Sequence, residues 1–257
     1  AFDSANVLVF EYISMPILNA MLSDNQRFLS IDVFRGMDVA LMIVVNSLGS
    51  HSTAYSPLLH AKWNGFTLTD LVFPTFLFVV GNSLALSLPK YQALGASAVL
   101  SKIGKRTLLI FLLGVLLGWF PFVRYNDAGE WTFKALENIR VFGVLQRIAL
   151  GYGLAALIIY FLKPAAIRWF CVLALLGYWI LLHVFGDLSL EGNAVLKLDA
   201  WLIGTAHMYK GEGIPFDPEG LFSTLLAIVN VIAGYWAVQW LIKKSFSLES
   251  LLQLCFM

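Results

Sequence analysis

Charge is scarce in this chain. Only 13% of its 257 residues are Asp, Glu, Lys or Arg, 59% are hydrophobic, and mean hydropathy is +0.78. Soluble domains carry about twice that charged share, so the composition excludes an ordinary water-soluble globule and points to an integral membrane protein. A dominant sign is lacking as well: 17 basic residues stand against 16 acidic ones. No basic stripe is available to neutralise a row of phosphates, which argues against nucleic acid as a partner. The two cysteines, Cys171 in an apolar run and Cys255 near the end, form neither a disulfide framework nor a metal-ligand spacing. No metal is expected. Short alternating segments of the kind that build a membrane β-barrel are missing, and no tandem repeat is visible.

What the chain has instead is long apolar runs. A bilayer core of about 30 Å asks for about 20 mostly apolar residues per helix, and six segments meet that length. They lie near Ile31 to Leu48, Leu68 to Leu88, Thr107 to Val123, Gly143 to Leu162, Ile167 to Phe185 and Leu221 to Ile242. The expected fold is all-α, a polytopic transmembrane helical bundle with about six spans. Residues 1–26 read as an extension of uncertain status, with Met21 resembling a natural start. Residues 27–244 read as a partial membrane domain and 245–257 as a short tail at which the chain is expected to be truncated.

Orientation follows from basic residues, which accumulate in cytoplasmic loops. Arg27, Arg35, Lys90, Lys102, Lys105, Arg106, Lys163, Arg168, Lys243 and Lys244 fall on one side; Lys62, Arg124, Lys134, Arg140, Lys197 and Lys210 fall on the other. The first set is larger, and residues 89–106 contain no acid at all. Both termini are therefore expected in the cytoplasm, with the bacterial inner membrane as the setting. The long loops, Gly49 to Thr67, Arg124 to Phe142 and Gly186 to Gly220, lie on the far side and collect Trp, Tyr, His and carboxylates. Sites are commonly built on such loops.

The polar residues at the mouths of these segments are the candidates for function. An isolated charge in hydrocarbon costs roughly 2.5 to 3.5 kcal/mol on insertion scales. Asp70 and Arg147 are expected at similar depth, so they are paired here as mutual neutralisers. Asn46, in the outer third of the first segment, suits either an oxyanion donor or an interhelical hydrogen bond. His60 carries the side chain that accepts a proton near neutral pH. Trp63 and Asn64 form part of a "WNG" turn, where Trp63 serves either as an interfacial anchor or as a platform for a sugar face. Asp217 and Glu219 in "FDPEG" suit the dipole of the following helix or a sugar ammonium. Arg35, Lys105 and Arg106 fit a donor's phosphates, or only the positive-inside rule. His51, His207 and His183 read as loop or interfacial histidines.

The phrases "RFLSIDVFRGMDVALMIVVNS", "HAKWNGFTLTDLVFPTFLFVVG", "RVFGVLQRIALGY" and "FDPEGLFSTLLAIVNVIAGY", in that order, resemble the heparan-alpha-glucosaminide N-acetyltransferase family. The resemblance implies a membrane acyltransferase that moves acetyl from cytosolic acetyl-CoA, a co-substrate, to an extracytoplasmic sugar or amino sugar. It also implies a reactive histidine at the place of His60 and further membrane helices beyond this chain; Asn46 and Asp70, expected at similar depth near it, join His60 as the catalytic candidates. Asp38 departs from the family, which has an apolar or small residue there. A polytopic transporter or glycan carrier, or an inactive scaffold of the same fold, remains the alternative; a homo-oligomer is left open.

Overall fold

The computed structural model describes residues 29–49, 54–126, 129–135, 139–211 and 213–243. The extension at 1–26, His51 and the tail at 245–257 lie outside the described residues. Seven helices are present among them: α1 Leu29–Asn46, α2 Leu68–Gln92, α3 Ala96–Trp119, α4 Val144–Phe161, α5 Pro164–Phe185, α6 Ala194–Ile203 and α7 Thr224–Lys243. A two-stranded antiparallel ribbon, β1 Val123–Tyr125 and β2 Trp131–Phe133, follows α3.

Helices stand at all six places where the sequence predicts membrane segments, but the count of six spans is corrected to four among the described residues. Helices α2, α4, α5 and α7 are long and apolar enough to cross a membrane. Helix α1 carries Asp32, Arg35 and Asp38, and α3 carries Lys102, Lys105 and Arg106. Three charges apiece take both out of the set. Asp38 is the one buried residue of α1 among those described, and neither of its carboxylate oxygens has a partner there. Helix α6 and the ribbon fall inside stretches read as loops; both are too short to leave a hydropathy signal.

The core sits where α2, α4 and α7 meet, on Leu77, Leu84, Leu88, Ile148, Val231 and Ile232. Helices α2 and α7 pack backbone to backbone, because Gly81 and Gly234 face each other's helix. A Cβ on Gly81 would strike Val231 O, and one on Gly234 would strike Phe78 O. Small residues permit such approach in membrane bundles, and amide side chains then bond across the seam. Asn230 Nδ2 donates to Pro74 O at 2.8 Å, and with its amide oriented to satisfy both atoms Asn82 donates to Gly234 O at 2.8 Å.

This packing sorts the connections. Short links, 93–95 and 162–163, join helices at one end. At the other end the long connections 54–67, 120–143 and 186–223 converge. The His207 carbonyl and ring lie against the chain there: Val141 N donates to His207 O at 3.2 Å, and His207 Nδ1 lies 2.9 Å from Ile139 O.

Candidate active site

The first turn of α2 builds the histidine site. Thr67 caps the helix and Asp70 is its third residue, in a reciprocal capping box that turns the carboxylate back over the preceding loop. Asp70 Oδ2 accepts Thr67 N–H at 2.9 Å and Ala61 N–H at 3.2 Å. Its Oδ1 lies 2.7 Å from His60 Nδ1. The Thr67 hydroxyl donates to Leu59 O at 2.7 Å and the Thr69 hydroxyl to Pro57 O at 3.3 Å, so the loop is laced to the helix on both sides of His60.

An ionised carboxylate only accepts, so the proton of this pair belongs on Nδ1. Nε2 is then the nitrogen with a free lone pair. The imidazole is open to its surroundings, with 74% of the side chain exposed. A fixed ring with a free basic nitrogen suits proton transfer or nucleophilic attack.

Trp63 ties this loop to the rest of the end face. Its indole N–H donates to Leu188 O at 2.7 Å, and its ring meets Phe216 edge-on at 5.2 Å. Exposed Asn64 follows, then Gly65 at φ 137°, a conformation that favours glycine. The "WNG" turn is thus held by contacts 125 residues away in sequence.

Beside it lies a second, denser cluster. Arg140 Nε donates to Asp217 Oδ2 at 3.0 Å and Nη2 donates to Asp217 Oδ1 at 2.5 Å. The same Nη2 reaches Glu219, and the guanidinium lies over the Tyr209 ring at 4.7 Å. Burial works against the charge on Arg140, but Asp217 and Glu219 outweigh it and hold its pKa above the ordinary value. Arg147 donates from Nη1 to Pro218 O at 2.7 Å and from Nη2 to Ser223 O at 3.2 Å, with its guanidinium over Phe73. Asp199 on α6 accepts Phe222 N–H at 3.1 Å, and burial raises its pKa. Segment 217–223, which leads into α7, is therefore gripped from three elements.

The expected pairing of Asp70 with Arg147 is not found. Each side chain has nearer partners: Asp70 belongs to its own helix cap and His60, and Arg147 to carbonyls of the segment before α7. Asp217 is 1% exposed and engaged on both oxygens by Arg140, which leaves it no room for a sugar ammonium. Asn46 donates to Met42 O at 2.8 Å, one turn back on α1. Arg140 and Asp199 are missing from the sequence-based site, because nothing local marks a residue whose partner is 77 positions away.

The basic candidates fall at the other end or midway along the helices. Arg35 pairs with Asp32 at 3.9 Å. Arg106 lies over the buried Tyr152 ring at 4.8 Å, and Lys102 over Tyr91 at 5.8 Å; Lys105 is exposed. No hydrogen bond or ion pair among the described contacts joins Arg35 to Lys105 or Arg106. His183 Nδ1 lies 2.9 Å from Trp179 O, a local contact on α5.

Residues 27–199 match the family described as heparan-alpha-glucosaminide N-acetyltransferase, catalytic. The chain belongs to this family. It is similar to the heparan-alpha-glucosaminide N-acetyltransferase of Homo sapiens, 30% identical across 82% of this chain and 38% of the human protein. The Mus musculus protein of the same name is 29% identical across 84% of this chain and 39% of its own length. The chain thus spans less than two fifths of the relatives it matches. The family match takes in His60, Asp70, Arg140, Arg147 and Asp199, and stops short of Asp217 and Glu219.

Proposed function

We propose that this end of the bundle transfers an acetyl group from acetyl-CoA to a sugar or amino-sugar acceptor, with His60 as the group that handles the proton. The observation that carries this reading is the 2.7 Å contact between His60 Nδ1 and Asp70, inside the stretch shared with an acetyltransferase family. Asp70 holds the imidazole in one tautomer, as an orienting carboxylate does in other acyl-transfer sites. The acceptor's amine or hydroxyl attacks the thioester carbonyl, its proton passes to Nε2, the C–S bond breaks, and the CoA thiolate leaves and takes the proton back. Attack by Nε2 itself, giving an acetyl-histidine that the acceptor then opens, balances equally. Rapid-quench single turnover without acceptor separates the two routes.

In this reading Asn46 offers an amide N–H to the carbonyl oxygen as charge develops, and Trp63 with Asn64 lines the acceptor's place. Arg35, Lys105 and Arg106 hold the donor's phosphates, with Arg106 steadied on Tyr152. Arg147, Asp217 and Glu219 frame the acceptor side and do not touch it. The His60 end faces away from the cytoplasm and both termini face into it. A Tyr55→Cys variant then reacts with an impermeant thiol reagent added outside cells, and a Gln92→Cys variant does not; the reverse pattern overturns the orientation. The activity is tested by transfer of label from acetyl-CoA to free hexosamines by the protein in lipid. Label must appear on the sugar in proportion to protein; substrate counterflow without acetylation would favour a carrier instead.

A further inference from the structure

The ribbon β1–β2 has two unlike faces. Its register pairs Val123 with Phe133, Arg124 with Thr132 and Tyr125 with Trp131. Side chains alternate across a strand, so Val123, Tyr125, Trp131 and Phe133 share one face and Arg124 with Thr132 the other. On the first face Tyr125 is 59% exposed, Trp131 65% and Phe133 80%. Tyr125 and Trp131 rings touch at 4.2 Å between centroids. A two-stranded ribbon is marginal in water, and one that leaves three aromatics bare on one face calls for a cover.

We propose that this ribbon is a membrane-interface anchor, which lays its aromatic face into the boundary between lipid headgroups and acyl chains at the His60 end of the bundle. Continuity supports this. Helix α3 exposes Leu109, Leu113, Leu116 and Leu117 along its length, and the exposed surface runs on into Phe120 at its end. The ribbon is fixed to that same end: Trp119 Nε1 donates to Lys134 O at 2.9 Å, Lys134 N to Phe122 O at 2.8 Å, and Lys134 Nζ to Gly118 O at 3.1 Å. Trp and Tyr favour the headgroup level, where an apolar ring and a polar tip are both satisfied. The opposite face puts Arg124 where a cation meets water and lipid phosphate.

The test uses spin labels on the protein in nanodiscs of phosphatidylcholine with phosphatidylglycerol. Phe133→Cys and Thr132→Cys are each labelled in a background in which Cys171→Ala and Cys255→Ala remove the native thiols. Phe133 is exposed, so its replacement leaves the fold intact. Power saturation compares access to oxygen, which concentrates in lipid, with access to a water-soluble nickel chelate. The anchor requires oxygen access to exceed nickel access at 133 and the reverse at 132. Nickel access at 133 equal to that at 132 would place the face in water and overturn the proposal. Protection of 133 from both reagents would place a second copy or another protein surface there, and would overturn it equally.

Discussion

Two charged clusters share one end of this bundle and differ in how fully they are satisfied. Arg140, Asp217 and Glu219 close on one another, with Asp217 almost wholly buried and Arg140 donating to both carboxylates. His60 and Asp70 form a pair in which Asp70 is saturated by backbone and imidazole, while the far side of the imidazole remains open. In the closed cluster one guanidinium engages both oxygens of Asp217 and reaches Glu219 as well, and its work is to hold the segment before α7 against the approach to α4. The open pair keeps one basic nitrogen in reserve. Residues of similar chemistry at one end of the bundle thus divide into scaffold and candidate chemistry, and the division rests on the imidazole nitrogen that stays open at His60.

That contrast predicts separable effects. The largest is on stability: Asp217→Ala leaves the Arg140 guanidinium without its two-pronged partner. Since Arg140 keeps Glu219 and is 31% exposed, the loss should lie near the low end of the roughly 3 to 5 kcal/mol typical of breaking a buried pair from one side. Thermal unfolding in detergent should show the loss, and an unchanged melting temperature would remove the cluster from the scaffold. Next, Asp70→Asn should slow acetyl transfer by about a hundredfold, the lower end of general-base contributions, through the imidazole's tautomer. Because Asp70 also caps α2, a modest drop in melting temperature should accompany it; an effect on stability with no effect on kcat would move Asp70 to the scaffold side of the comparison.

A smaller effect is expected at the opposite end. Replacing Arg35, Lys105 and Arg106 with Gln should raise the KM for acetyl-CoA and leave the acceptor KM unchanged, if these residues grip donor phosphates. Equal donor affinity in well-inserted variants would return them to a purely topological role. The smallest effect concerns Asp199. Its folded-state pKa is raised by burial, so folding favours the protonated form. Its favourable contribution is complete below the ordinary carboxylate value of about 4 and is lost as pH rises through the folded value. The melting temperature of Asp199→Asn relative to wild type should therefore climb from about pH 3 towards neutrality. A difference that stays flat across that range would contradict the burial argument.

The sequence made the helices legible and the tertiary pairings illegible, for a physical reason. Apolar length locates a helix whether or not its neighbours are known, and all six predicted places hold one. Apolarity sufficient for a span is a finer property, and the three charges within each of α1 and α3 keep both below the mark that α2, α4, α5 and α7 meet. His60 and Asp70 are ten positions apart and share one helix cap, so their proximity was readable from "HAKWNGFTLTD". Arg140 and Asp217 are joined only through the packing of α4 against α7. Depth matching pairs Asp70 with Arg147, which the structure does not, since it treats every charge as facing hydrocarbon when Asp70 is already served by its own cap and His60.

The most direct measurement is turnover by His60→Ala beside wild type, with labelled acetyl-CoA, in an active membrane preparation, together with thermal unfolding of both proteins. Loss of a general base lowers kcat by about a hundredfold to ten-thousandfold, and the exposed imidazole contributes little to the fold. The account predicts that drop at an unchanged melting temperature. Turnover close to wild type would contradict it, and would leave the His60–Asp70 pair as part of the cap of α2.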